Sequence, residues 1–185
     1  YAELHCLTHF SFLRGASRPE ELVERAVQLG YQALAITDEC SVAGVVRAHA
    51  AAKEHELKLI IGSEFQFSDG LRCVLLATSR KGYGQLCRLI TQGRRAAEKG
   101  TYRLEWRDVF DHEDDSLSFL QDCLALWLPA ADPDVTQAQR LQSAFPERLW
   151  IAVELLTSGN DRKRLERLQT VGSDLQIPLV ASGDV

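Results

Sequence analysis

Short apolar runs alternate with longer stretches in which apolar residues recur every three or four positions, and the alternation runs almost the length of the chain. The spacing predicts a first strand at AELHCLT (2–8) and then a helix with Leu22, Ala26 and Leu29 on one face. Ser17 and Glu20 have capping-box spacing, Pro19 suits a first helical turn, and Gly30 is a stop signal. ALAIT (33–37) has strand length and the alanine-rich stretch 42–56 reads as helix. KLIIGSEFQF (58–67) reads as a strand broken at Gly62, Asp69-Gly70 as a hairpin turn, and LRCVLLAT (71–78) as the returning strand. Helices are predicted over 82–100, 133–145 and 161–175, and strands over 124–129, 148–155 and 178–182. Segment 99–123 is polar, contains DHEDDS, and predicts loop with a short helix.

This alternation predicts an α/β fold around a mostly parallel sheet, either open or closed into a barrel. In both architectures ligands gather at the carboxyl ends of the strands. The polar residues there are His5 with His9, Asp38 with Glu39, Glu64, and Asp184. Brought together they would form a carboxylate-rich pocket suited to Mn²⁺, Zn²⁺ or Fe and to phosphate-ester hydrolysis by metal-bound hydroxide. The competing reading is that Asp38 and Asp184 cap the helices or turns that follow their strands. Alternate residues of a strand face one side, so a ligand-bearing strand would pair position 5 with position 7, and position 7 is leucine. His49 and His55 read as surface or packing residues of the alanine-rich helix, and His112 as a solvated residue of the acidic loop.

Composition narrows the options. At 185 residues, 45% hydrophobic and 25% charged, the chain has the profile of one soluble globular domain. A net charge of −5 argues against a surface that grips nucleic acid through counterion release. The basic run GRRAAEKGTYR (93–103) offers Tyr102 alone for base stacking, and is read as a solvated cationic helix end. Five scattered cysteines without a C-x-x-C pair point to a reducing, cytoplasmic setting, with Cys6 and Cys40 as small buried hydrophobes. No apolar run of about 18 residues or signal peptide suggests a membrane. Gly82-Tyr83-Gly84 lacks the rest of a phosphate loop, and Ser11, Ser17 and Ser41 have no evident activating base. The sequence contains no methionine, starts at Tyr1 and stops after a strand-like run, so a piece of a longer chain is expected.

ELHCLTHFSFLRGAS, ALAITDECSVAGVV, KLIIGSEF, LLATSRKGYGQLCRLIT and PLVASGDV, in this order, resemble the N-terminal PHP (polymerase and histidinol phosphatase) domain of bacterial C-family DNA polymerases. The resemblance covers essentially all of 1–185. Its wording is most similar to the error-prone, damage-inducible branch rather than the main replicative subunit. It implies a distorted (β/α)7 barrel, incomplete at the C-terminal end of this chain, with up to three metals at the strand ends of active members.

Position by position, the resemblance places His5 at the first ligand and Leu7 where a second histidine should stand. Asp38 matches an aspartate, Glu39 replaces its histidine, Glu64 matches the bridging glutamate, Arg72 or Cys73 falls near another histidine position, and Asp184 matches the last aspartate. Acids are kept and histidines lost. The expectation is an arginine–carboxylate network over Asp38, Glu64 and Asp184, or at most one weak Mg²⁺ or Mn²⁺, with Zn²⁺ less suited. The implied role is a structural module of an error-prone DNA polymerase acting in translesion synthesis and DNA repair. The alternative is an active metal-dependent phosphoesterase or 3′-5′ exonuclease. The implied partners are the rest of the polymerase chain, primer-template DNA, a sliding clamp and mutagenesis accessory proteins.

Overall fold

The computed structural model describes residues 1–111, 114–157 and 159–185. Its elements run β1 (Ala2–Glu3), α1 (Pro19–Gln28), β2 (Ala33–Ile36), α2 (Val45–Glu54), β3 (Lys58–Gln66), β4 (Arg72–Ala77) and α3 (Arg80–Arg95). A 3₁₀ turn (Trp106–Val109) follows, then β5 (Phe110–Asp111), β6 (Asp114–Ser118), β7 (Cys123–Trp127), α4 (Val135–Ala144), β8 (Leu149–Glu154), α5 (Asp161–Leu175) and β9 (Leu179–Ser182). Seven strands form one sheet in the order β1-β2-β3-β4-β7-β8-β9, and β5 and β6 form a separate ribbon. β4 runs against both neighbours, and the remaining pairs of the large sheet are parallel.

Two apolar surfaces explain the curvature. Ala35, Val74, Leu76, Leu126, Leu128 and Ala152, joined by Leu4, Ile60 and Trp150, form a cluster built from strand residues and fill the barrel. The alternate residues of the same strands, Phe65, Cys73, Leu75, Ala125, Trp127 and Ile151, face outward against α3, α4 and α5. Val23 and Ala26 of α1 and Ala48 and Ala52 of α2 pack with Leu34 and Ile36 in the same way.

The expected incompleteness shows as one seam, because β1 and β9 share no ladder. Two backbone hydrogen bonds cross it, Leu7 N–H to Val185 O at 2.7 Å and Val185 N–H to His5 O at 3.2 Å. The buried Glu3 carboxylate reinforces it by accepting from the N–H groups of both His5 and Gly183 at 2.9 Å.

Three local expectations are corrected. β3 continues through Gly62, whose missing side chain makes room for Leu76 and the Leu75 carbonyl of β4, so the ladder is preserved rather than ended. The first-turn cap of α1 lies one residue later than predicted, with the Glu21 carboxylate accepting from the Arg18 N–H at 2.8 Å. Segment 99–123 carries a β ribbon as well as a short helix, and His112 lies outside the described residues. His49 and His55 are exposed.

Helix α3 contains a paired test of close packing. A Cβ at Gly82 would lie 2.1 Å from the Asp122 carbonyl oxygen, whereas one at Gly84 would meet nothing within 4 Å. Gly82→Ala is expected to cost about 1–3 kcal/mol through forced displacement, although alanine is the better helix former. Gly84→Ala is expected to add about 0.5–1 kcal/mol. Urea unfolding midpoints check both, and equal effects would contradict the close approach of α3 to Asp122.

Candidate functional site

Strand register gathers the site. Because β3 and β4 are antiparallel, Gln66 pairs with Arg72, and the start of β4 lies at the carboxyl end of β3. Ile60 and Val74 fix the inward face, so Glu64 and Arg72, alternate residues from them, point into the mouth of the barrel. Glu154 reaches the same mouth from β8, alternate to the inward Ala152. His5 enters from the extended segment after β1, and Asp38 and Glu39 follow β2.

Glu64 is the centre. Its side chain is fully buried, and it accepts from His5 Nε2 at 3.0 Å, Arg14 Nη2 at 2.9 Å, Arg72 Nη2 at 2.8 Å and Arg72 Nε at 3.1 Å. Arg72 puts both nitrogens on one oxygen, Oε1, while His5 and Arg14 share Oε2. Burial alone would raise the Glu64 pKa, but the hydrogen bonds from His5 and Arg14 and the nearby charges hold it down at about 2.

His5, also fully buried, lies between carboxylates. Its Nδ1 is 2.8 Å from Glu154 Oε1 and 3.6 Å from Asp184 Oδ1, while Nε2 faces Glu64. Carboxylates at both nitrogens call for an N–H on each, which is the imidazolium. Burial alone would lower the pKa of His5; the hydrogen bonds to Glu154 and Glu64 outweigh it and raise it to about 9.

Asp38 departs from the expected arginine pairing. It accepts from the Thr8 N–H at 2.8 Å, the Thr8 hydroxyl at 2.9 Å and the Ser11 hydroxyl at 2.7 Å. The loop after β1 folds back over the end of β2 and brings these donors to Asp38 before any guanidinium reaches it. Glu39 instead pairs with Arg14 Nη1 at 2.9 Å and accepts from the Tyr102 hydroxyl at 2.9 Å. Arg14 therefore bridges Glu39 and Glu64, ending the loop on the cluster. Asp184, part-exposed, approaches His5 rather than an arginine.

His9 stands apart from the cluster. Its ring lies against Phe10 with centroids 4.4 Å apart, and among the described residues its Nδ1 has no hydrogen-bond partner. Leu7 is buried, and Cys73 points outward into the core under the helices. Burial pushes the Cys6 and Cys40 thiols up to about 12, which keeps them protonated.

Arg14, Glu154 and Thr8 were not singled out by sequence, and Ser11 was weighed there only as a nucleophile without an activating base. Glu154 carried a usable signal, since it ends a predicted strand as Glu64 and Asp38 do. Arg14 carried none, because its partners lie 25 and 50 residues away.

The residues present do not fit a metal cluster. Guanidiniums and an imidazolium occupy the Glu64 oxygens and repel cations, and a buried leucine stands at position 7. Among the described residues, no three His, Cys, Asp or Glu side chains are placed to hold a metal ion. What the arrangement does hold is the loop 8–15, clamped by Asp38, Glu39 and Glu64.

Comparison with known proteins adds the lineage. An error-prone DNA polymerase of Dechloromonas aromatica is 56% identical over 188 residues, an alignment covering 100% of this chain and 18% of that protein. One of Methylococcus capsulatus is 57% identical over 185 residues, covering 100% of this chain and 17% of that protein. The chain thus spans 17–18% of the length of these curated relatives. Two solved structures share the fold. A Bifidobacterium adolescentis protein assigned as a metal-dependent phosphoesterase superposes with a TM-score of 0.68 at 17% identity, covering 99% of this chain and 86% of that one. An amidohydrolase from Chromobacterium violaceum superposes with a TM-score of 0.65 at 16% identity, with the same coverages. The model of the PHP domain matches residues 3–155, and with the barrel and its strand-end residues in place, this chain belongs to the PHP domain family.

Proposed function

We propose that residues 1–185 are the N-terminal PHP module of an error-prone DNA polymerase, and that in this module the ancestral metal site has become an ionic clamp that holds the barrel mouth. The observation that carries this reading is Glu64, whose oxygens are taken by Arg14, Arg72 and His5. The clamp braces architecture and contributes no hydrolysis. The parent chain adds deoxynucleotides across damaged template in translesion synthesis and DNA repair, in the cytoplasm. Its partners are the remaining polymerase domains, primer-template DNA, a sliding clamp and mutagenesis accessory proteins. The similarity of the whole of this chain to 17–18% of the length of the error-prone polymerases supports the lineage. No helix among the described residues is long and apolar enough to cross a membrane.

Metal analysis tests the module's role. The chain, purified without chelator, is expected to carry well under one equivalent of Mn, Fe or Zn by plasma mass spectrometry, with a Tm unchanged by EDTA. Two or three transition-metal ions per chain, or a fall of several degrees on chelation, would sink the clamp reading and favour a phosphoesterase, since a bound metal contributes folding free energy.

A further inference from the structure

The basic run 93–103 offered Tyr102 as its one stacking candidate in the sequence, and the fold brings others beside it. Phe10 and Phe12, from the loop that the clamp holds, line one open groove of about 470 Å³ together with Arg94 and Tyr102. The groove continues past Glu39 and Tyr102 into a second depression lined by Arg103. Phe12 is 84% exposed and its neighbour Leu13 90% exposed, an unusual cost for large apolar side chains on one loop.

The loop backbone is tied on both sides of its tip. Ser11 N–H and the N–H groups of Arg14 and Gly15 close turns on Thr8 and Ser11 carbonyls at 2.9–3.0 Å. The Ser11 hydroxyl donates to Asp38 and accepts from the Glu39 N–H, and Arg14 is fixed on two glutamates. The backbone that carries Phe10 and Phe12 is therefore held in place, which lowers the entropy lost on binding.

The groove is cationic although the chain is acidic. Arg94 is positioned by the backbone carbonyls of Cys40, Glu39 and Thr101 at 3.2–3.3 Å, and among the described residues no carboxylate pairs with it. Its guanidinium lies over the Tyr102 ring, 5.4 Å from the centroid. Glu39, the acid at the centre, is already paired with Arg14 and the Tyr102 hydroxyl. Lys99 and Arg103 add exposed cations on the same segment.

Exposed aromatics beside uncompensated guanidiniums are the recognition chemistry of unpaired nucleic acid, in which bases stack and phosphates meet cations. We propose that the groove between loop 9–15 and segment 94–103 binds single-stranded nucleic acid, with Phe10 and Phe12 as stacking faces and Arg94 and Arg103 as phosphate contacts. The inference stands on this geometry and not on the identity of the parent chain.

Fluorescence anisotropy of a labelled dT12 oligonucleotide titrated with the chain tests it. Binding is expected at 50 mM salt, weakening with a log–log slope of about −1.4, as for two phosphate contacts on a single strand. Phe12→Ala is expected to weaken binding by about 10-fold at unchanged Tm, the loss of one stacked base. Arg103→Ala is expected to flatten the slope by about 0.7. The proposal is overturned if the folded chain does not bind at 50 mM salt, if Phe12→Ala binds equally well, or if a 12-base-pair duplex binds as tightly as the single strand. It is also overturned if Phe12→Ala changes only the oligomeric state, which would make the loop a protein contact.

Discussion

Glu64→Gln is expected to lower the unfolding free energy by about 3–5 kcal/mol, enough to shift Tm by roughly 6–20 °C in a chain of this size. Native domains have only about 5–15 kcal/mol in total, so this single change takes a large share. The carboxylate is buried and compensates Arg14, Arg72 and His5 together. A glutamine keeps the shape but removes the charge, and three cations are then left with Glu39, Glu154 and the more distant, part-exposed Asp184. Asp184→Asn is the control: Asp184 is 3.6 Å from His5 and part-exposed, so its loss is expected to cost no more than about 1 kcal/mol. Replacing Glu64, Arg72, His5 and Glu154 together by leucine or methionine is expected to cost less than Glu64→Gln alone, since Arg14 keeps Glu39 and no buried charge is orphaned. Urea denaturation of the three variants reads the ordering. Equal losses for Glu64→Gln and Asp184→Asn would show that Glu64 is not the centre of the cluster.

The fold was legible because its signal is periodic. Each outer helix and each barrel strand is a local pattern of apolar residues, and the order of these patterns carries the α/β class. What failed locally failed for a non-local reason. Gly62 looks like a break, but the space it leaves is filled by β4, ten residues further along the chain. The candidate site was legible as a list of strand ends, and Glu64 and His5 were found that way. Its pairing was not. Whether Asp38 meets an arginine or a serine depends on how the loop 8–15 folds back, and nothing in THFSFLRG announces that Arg14 passes over Asp38 to reach Glu39 and Glu64. The same loop hid the cationic groove. Phe10 and Tyr102 are 92 positions apart in sequence and share one surface only because the barrel closes between them.

Stability is expected to peak between about pH 4.5 and 6.5 and to fall as the solution becomes alkaline, the reverse of what a metal-binding site would do. His5 has a raised folded pKa, about 9 against 6.5 for a free imidazole, so its contribution is complete below 6.5 and is lost as pH rises through 9. Glu64 has a lowered one, about 2 against 4.5, so its contribution is complete above 4.5 and is lost as pH falls through 2. Each shift corresponds to about 3 kcal/mol at about 1.4 kcal/mol per unit. The two describe the same contacts from opposite partners and are not added. In EDTA buffer, the unfolding free energy from urea titrations is expected to drop by about 3 kcal/mol between pH 5.5 and 9. His5→Gln, which cannot titrate, is expected to be less stable at pH 5.5 and nearly flat across this range. Imidazole and carboxylate ligands around a metal behave oppositely, because binding requires the deprotonated imidazole and strengthens as pH rises. A stability that climbs from pH 5.5 to 9 in the presence of Mn²⁺ and loses that climb with EDTA would therefore replace the imidazolium at position 5 with a ligand, and the clamp with a metal centre.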